Sequence, residues 1–165
     1  MIAKASTLTK LKTYQKALDI LDELSQSYPN LLPGYIEKIK VNVEISDWEQ
    51  VLELSTKALT IDRHCIDASC YIILYYLIWN FNEAQTCLKL NDLAGSLEIR
   101  EPKNARLYFE LSKLFSQLAG DNKEIISITF SLIEKTVFID SRSPVYLCEL
   151  GHQALKLDRT VDGER

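Results

Sequence analysis

The sequence predicts an all-α fold, an α-solenoid in which antiparallel helix pairs stack into a right-handed superhelix. Three observations lead to this prediction. A motif returns about every 34 residues, apolar residues keep helical spacing along most of the chain, and only five glycines and four prolines interrupt it. Hydrophobic residues make up 47% and charged residues 25% of the chain, a balance typical of folded proteins.

The repeating motif is a small or branched residue that enters an amphipathic helix. Val51 follows Ala17 by 34 residues, and Ala84 follows Val51 by 33. This period is typical of the tetratricopeptide repeat (TPR), in which each unit is a pair of helices. Such units stack into extended curved surfaces that bind other proteins. We therefore expect a TPR-like array over residues 1–165 that acts as a non-enzymatic protein–protein scaffold.

The first third of the chain predicts one half-repeat and one full repeat. Residues 1–29 are expected to hold only the second helix of a pair, ended by Pro29. Residues 32–63 are expected to form a complete pair. Ser46 and Glu49 have the spacing of a capping box at the start of its second helix.

The middle of the chain predicts a repeat at about 66–94. Its first helix, ending near Trp79, is apolar nearly all round and should be covered on more than one side. Asn82 is placed to cap the second helix. We expect residues 95–104, which include Pro102, to form a longer connection.

The last third predicts a repeat at 104–141, a half-repeat at 144–157 and a polar tail at 158–165 that frays. Gly120 should end the first helix of this repeat, and Asp121 with Glu124 resembles a second capping box. In the following helix the β-branched run at 125–129 is interpreted as helical, because helical spacing continues beyond it. The helices at both ends of the array are expected to leave an apolar face open.

Charge and hydropathy argue against nucleic-acid and membrane partners. The net charge is -4, and no basic run exceeds two residues, whereas phosphate binding needs clustered cations. The longest apolar run covers residues 71–79, well short of the ~20 residues that span a bilayer. Residues 1–12 lack the apolar core of a signal peptide. We expect a soluble, cytoplasmic protein without direct membrane insertion.

The cysteines and histidines predict no catalytic, cofactor-binding or metal site. The four cysteines show no Cys-x-x-Cys spacing, and His64 and His152 complete no zinc set with them. Neither histidine has a serine or cysteine placed for nucleophilic catalysis, and no glycine-rich phosphate loop is present. Reduced structural thiols are the expected state. The chain is therefore not expected to be an enzyme.

Four irregular stretches carry a more specific resemblance: YPNLLP at 28–33, DWEQ at 47–50, EPKNA at 101–105 and ELGH at 149–152. From about Tyr14 to Leu157 the chain resembles the tetratricopeptide repeat protein 21 family, also called intraflagellar transport protein 139. It departs from the usual repeat at some positions, as where Arg63 stands in place of proline.

The resemblance implies a middle segment of a longer TPR solenoid. The family is a peripheral subunit of intraflagellar transport complex A. It therefore implies a scaffold role in retrograde ciliary transport, contact with other complex A subunits, and a location in the cytoplasm and its cytoskeleton, at the cilium or ciliary base.

A binding groove is expected along the first helix of each pair, because these helices line the inner face of TPR arrays. By repeat position the inward residues are Ile36, Lys40, Val43, Cys70, Leu74, Leu77, Phe109, Lys113, Ser116, Cys148 and His152. They would form a largely apolar groove for a partner helix. The alternative is that the apolar members pack against neighbouring helices and the lysines are solvated.

Two further observations bear on the partner. Ile36 and Cys70 occupy positions where chaperone-type TPR modules place polar residues that clamp a terminal carboxylate, so binding of an acidic C-terminal peptide is not expected. The alternative function is a free-standing cytosolic TPR adaptor that binds an apolar or amphipathic helix of a client protein.

Overall fold

The computed structural model describes the backbone of residues 1–162 and the side chains of residues 1–158. This part of the chain is helical and contains no strand, so the all-α prediction is confirmed. The helices belong to two packing units, one covering Met1–Tyr75 and the other beginning at Tyr76. Each unit is described by itself below.

Five helices form the first unit. They are α1 (Ile2–Lys10), α2 (Tyr14–Ser27), α3 (Leu32–Glu44), α4 (Trp48–Ile61) and α5 (Ile66–Leu74). Each helix packs on the next in sequence, and α1, α3 and α5 also contact one another in succession. Short connections turn the chain back after each helix, which gives the two-layer stacking of helix pairs that TPR-like solenoids use.

The core of the first unit lies where paired helices meet. Ala17 and Val51, the two residues that mark the repeat, are fully buried. Ala17 packs with Leu21 and Val41 in one apolar cluster, while Val51 belongs to a second cluster with Ile39. The repeated small or branched residue therefore lets neighbouring helices approach closely.

The described part of the second unit contains four helices. A π-helical turn at Tyr75–Trp79 follows α5, and then come α6 (Glu83–Arg100), α7 (Ala105–Leu118), α8 (Lys123–Ile139) and α9 (Pro144–Asp162). Helix α8 packs against α6, α7 and α9, and α7 also contacts α9. The run at 125–129 lies within α8, which confirms its interpretation as helix.

The predicted register is wrong at Ala84, which is exposed. Thr86 is the fully buried residue at the start of α6, with Leu90 one turn further, and it follows Val51 by 35 residues. A π-helical turn holds one residue more than an α-helical turn. The turn at Tyr75–Trp79 therefore explains why the period lengthens here.

Three predicted boundaries are also wrong. Residues 1–29 hold two helices, α1 and α2. The apolar pattern of α1 is weak, but the helix is held by its packing on α2 and α3. The repeat predicted to end at 94 continues as helix to Arg100, with Ser96 and Leu97 buried on its inner face, so the connection is short. The tail predicted to fray from 158 is helical through Asp162, and residues 163–165 lie outside the described part.

Turn chemistry explains how each helix pair closes. Lys12, Ser46, Phe81 and Gly120 all have φ between 53° and 61°, and each lies in a short connection between consecutive helical segments. The left-handed region favours glycine, so only the role of Gly120 was visible in the sequence, and it is confirmed. The other three positions show that the repeat geometry imposes this conformation on ordinary residues.

The caps are made by side chains that follow these turns. The N–H of Gln85 donates to Asn82 Oδ1 at 3.1 Å, which confirms the predicted cap. Both predicted capping boxes are wrong. Asp47 accepts from the N–H of Gln50 at 3.2 Å in place of Ser46, which is held in the left-handed turn. Asn122 accepts from the N–H of Ile125 at 3.0 Å in place of Asp121.

Candidate functional site

The first unit presents a hollow between the first helices of its pairs. It encloses about 410 Å³ and is lined from α1, α3 and α5 by Ser6, Thr9, Lys10, Glu37, Lys40, Val43, Glu44 and Tyr71. Lys40 Nζ lies 3.3 Å from Glu37 Oε2, and Glu37 itself is buried. Because charges of both signs line it, this surface is polar and not the apolar groove that the sequence predicts.

The predicted groove residues of the first unit divide into two groups. Lys40 and Val43 line the hollow. Ile36 instead packs in the core cluster with Ile39 and Val51, so the alternative of packing between helices applies to it. Cys70 and Leu74 are half-buried on α5 and are not part of this lining.

The second unit presents a more apolar hollow between α7 and α9. It encloses about 420 Å³ and is lined by Phe109, Lys113, Pro144, Val145, Cys148, Glu149 and His152. Four of the predicted groove residues therefore come together: Phe109, Lys113, Cys148 and His152. Leu77 lies instead in the π-helical turn and is half-buried, and Ser116 is fully buried.

Aromatic and cationic groups shape the α7 side of this hollow. The rings of Phe109 and Tyr146 lie 4.9 Å apart between centroids, with an interplanar angle of 43°. Lys113 Nζ lies 5.7 Å from the centroid of the Phe109 ring, within the range of a cation–π interaction. The hollow thus combines an aromatic surface with an exposed ammonium group.

A buried polar network centred on Gln153 fixes α9 against α7 and α8. Gln153 is fully buried, and its Nε2 donates to Ser112 Oγ and to Glu149 Oε1, each at 2.9 Å. Thr129 Oγ1 donates to Gln153 Oε1 at 3.1 Å, and Ser112 Oγ donates to the Thr129 carbonyl at 2.7 Å. Every hydrogen-bonding atom of the amide is therefore satisfied.

Gln153 is a site residue that the sequence pattern did not predict. The available signal was a long polar residue between Leu150 and Leu157, on the stripe of α9 that helical spacing turns inward. A second contact also joins α9 to α7, because Lys156 Nζ donates to the Ser116 carbonyl at 3.1 Å. Together these bonds hold α9 in the position that forms one wall of the hollow.

Three of the four thiol groups have low reactivity. Burial, with smaller contributions from Asp67 and Cys65, raises the pKa of Cys70 to about 12. Burial is also the main cause that raises the pKa values of Cys65 and Cys87. Because the thiolate is the reactive form, these three thiols are poor nucleophiles. Cys148, on the hollow, is exposed.

Two kinds of feature are absent from the described residues. No group of three or more histidine, cysteine, aspartate or glutamate side chains is arranged to hold a metal ion. No helix in the same part of the chain is long and apolar enough to cross a membrane.

Comparison with solved structures supports the fold class. A TPR-containing protein solved as "MamA RS-1 ArsTM double mutant" superposes with a TM-score of 0.64 at 18% identity. The alignment covers 94% of this chain and 82% of that one. Stacked helix pairs with surface hollows between their first helices therefore define a TPR-like α-solenoid, a class of protein-interaction scaffold that is typically non-catalytic.

Sequence comparison supports one family for this chain. Residues 88–164 match the model of the tetratricopeptide repeat protein 21 second ARM domain. Tetratricopeptide repeat protein 21B of Mus musculus is 28% identical over 94% of this chain, and the Homo sapiens protein is 26% identical over 98%. Tetratricopeptide repeat protein 21A of Homo sapiens is 27% identical over 92%. These matches support the tetratricopeptide repeat protein 21 family for this chain, which spans 12% of the length of each of these relatives.

Proposed function

We propose that this chain is a scaffold segment of intraflagellar transport complex A and acts in retrograde transport within cilia. The observation that carries the proposal is similarity to tetratricopeptide repeat protein 21B along 94% of the chain. On this proposal its partners are other complex A subunits, and it works in the cytoplasm at the cilium or ciliary base. It has no catalytic role, and it contacts neither nucleic acid nor the bilayer interior.

The proposed binding surface within each unit is the face formed by the first helices of its pairs. Lys40 and Val43 contribute to it in the first unit, and Phe109, Lys113 and His152 contribute in the second. The second-unit hollow is the stronger candidate, because an aromatic ring and aliphatic groups provide apolar area while the charged groups set orientation.

Co-purification from ciliated cells tests this proposal. The tagged chain is expressed, and recovery of complex A subunits is measured by quantitative mass spectrometry. We expect their enrichment, and we expect Phe109→Ala to reduce it because Phe109 lines the hollow. Phe138→Ala is the matched control, since Phe138 is 84% exposed on α8 outside the hollow. Absence of complex A subunits from the wild-type sample would refute the proposal.

A second candidate function is a free-standing cytosolic adaptor that binds an amphipathic helix of a client. The apolar lining of the second-unit hollow by Phe109, Pro144 and Val145 favours such a ligand. The two functions differ in the purified sample. An adaptor would recover a client unrelated to complex A, and Phe109→Ala would release that client.

A further inference from the structure

We propose that the hollow between α7 and α9 binds an amphipathic helix that places an apolar side chain against Phe109 and Val145 and a carboxylate beside Lys113. This inference rests on the proposed role as a protein scaffold and adds the chemistry of the partner. The proposed ligand carries its carboxylate on a side chain within a helix. Chaperone-type TPR modules instead clamp the carboxylate at the C-terminus of a peptide.

The dimensions of the hollow suit a helix. Its lining on α9 extends from Pro144 to His152, just over two helical turns, or ~12 Å at 1.5 Å per residue. On α7, Phe109 and Lys113 are four residues apart and therefore one turn apart on the same face. A partner helix lying along α7 would present an apolar residue and an acid with the same one-turn spacing.

Charge complementarity selects an acidic partner. Lys113 is exposed, and its ammonium group lies 5.7 Å from the centroid of the Phe109 ring, where it is accessible for an ion pair. Lys156, the next cation along this face, already donates to the carbonyl of Ser116. Lys113 therefore supplies the attractive charge of the hollow.

The negative charge on the opposite wall determines which side of the hollow the partner's carboxylate occupies. Glu149 lines the α9 side, and one of its oxygens accepts from Gln153 Nε2 at 2.9 Å. The carboxylate of Glu149 repels a second carboxylate near α9, so the acid of the partner is directed to the α7 side. Repulsion of this kind contributes to specificity as well as attraction does.

The test uses a library of random peptides displayed on phage, selected in parallel on the wild-type chain and on Lys113→Glu. We expect wild-type selections to enrich aspartate or glutamate one helical turn from a large apolar residue. The Lys113→Glu selections should replace the acid with lysine or arginine. The matched control is Lys135→Glu, because Lys135 Nζ also lies over an aromatic ring, 6.0 Å from the centroid of Phe138, but on α8. This control should reproduce the wild-type selection.

Binding measurements then locate and quantify the contact. Synthetic forms of an enriched peptide, with glutamate or glutamine at the acidic position, are titrated against wild-type and Lys113→Ala chains. Lys113→Ala should weaken the glutamate peptide about fivefold and leave the glutamine peptide unchanged. Because Cys148 is exposed in the hollow, bound peptide should slow its alkylation by N-ethylmaleimide.

Three outcomes would overturn the inference: no enriched peptide, enrichment that does not change with the charge at residue 113, or unchanged alkylation of Cys148 with peptide bound. Failure of the ciliary proposal is a separate result. Absence of complex A subunits from cells, together with acid-dependent peptide binding in vitro, would refute only the ciliary partner. Circular dichroism of each variant confirms that it is folded.

Discussion

The buried amide of Gln153 allows a quantitative prediction about what holds α9 in place. Gln153→Leu replaces the amide with an apolar side chain of similar length. It removes three hydrogen bonds, to Ser112, Thr129 and Glu149. Two of these bonds join neutral, buried groups and contribute about 1 kcal/mol each. The bond to Glu149 contributes less than is usual for a charged acceptor, because this carboxylate is half-buried and regains water.

The partners left behind keep the cost moderate. Ser112 Oγ still donates to the Thr129 carbonyl, and Thr129 Oγ1 can still donate to the Ile126 carbonyl at 3.0 Å. Neither hydroxyl becomes an unsatisfied donor, which would add a further desolvation penalty. We therefore expect Gln153→Leu to lower the free energy of unfolding by about 2 kcal/mol. Gln153→Ala should lower it by about 2 to 3 kcal/mol more, through the cavity that it leaves.

Urea unfolding followed by circular dichroism measures these free energies. Hydrogen exchange of peptides covering residues 144–158 reports whether the loss is local to α9. Gln117→Ala is the control, since Gln117 is exposed on α7 and should change stability by no more than about 0.5 kcal/mol. If Gln153→Leu equals or exceeds the wild type in stability, the network does not hold α9, and the argument fails.

Three other perturbations test separate parts of the fold. Gly120→Ala should lower the free energy of unfolding by about 1 kcal/mol, because φ at this position is +60°. Gly95→Ala should raise it by up to about 1 kcal/mol, since the added Cβ would meet no atom within 4 Å. Equal effects of the two variants in chemical unfolding would contradict the turn geometry. Thr86→Trp should lower the free energy of unfolding by about 3 kcal/mol through overpacking, and Ala84→Trp should lower it by about 0.5 kcal/mol or less. If Ala84→Trp melts at a lower temperature than Thr86→Trp, the 35-residue spacing is refuted. The raised pKa of Cys70, about 12, means that the unfolded chain loses this thiol proton at lower pH than the folded chain does. Stability should therefore fall as pH rises above about 9, and Cys70→Ala should lessen that fall in unfolding measured across the alkaline range.

The sequence predicted the helix pairs because their signals are local. Helical spacing and the recurrence of Ala17 and Val51 depend only on residues within one pair. The capping residues were harder to predict, since Ser46 and Asp47 are both good caps by residue type. The left-handed turn, which is a property of the closed helix pair, places Asp47 and not Ser46 at the cap. In the same way, nothing in residues 75–79 alone predicts the π-helical turn that shifts the register to Thr86.

The candidate site was predictable on one helix at a time but not as a surface. Repeat position groups Phe109 with Lys113 on α7 and Cys148 with His152 on α9, because each pair lies within one helix. Whether two such faces form a hollow depends on the distance between helices, and that distance is set by packing far apart in sequence.

In the second unit a buried polar network contributes to setting this distance. The hydrogen bonds from Gln153 to Ser112 and from Thr129 to Gln153 span 41 and 24 residues, and they tie α9 to both α7 and α8. Apolar contacts alone tolerate small shifts in register, whereas a satisfied buried network permits one arrangement. The buried side of α9 therefore determines the geometry of its exposed side, and Gln153→Leu should loosen the acid preference of the hollow even where the chain remains folded.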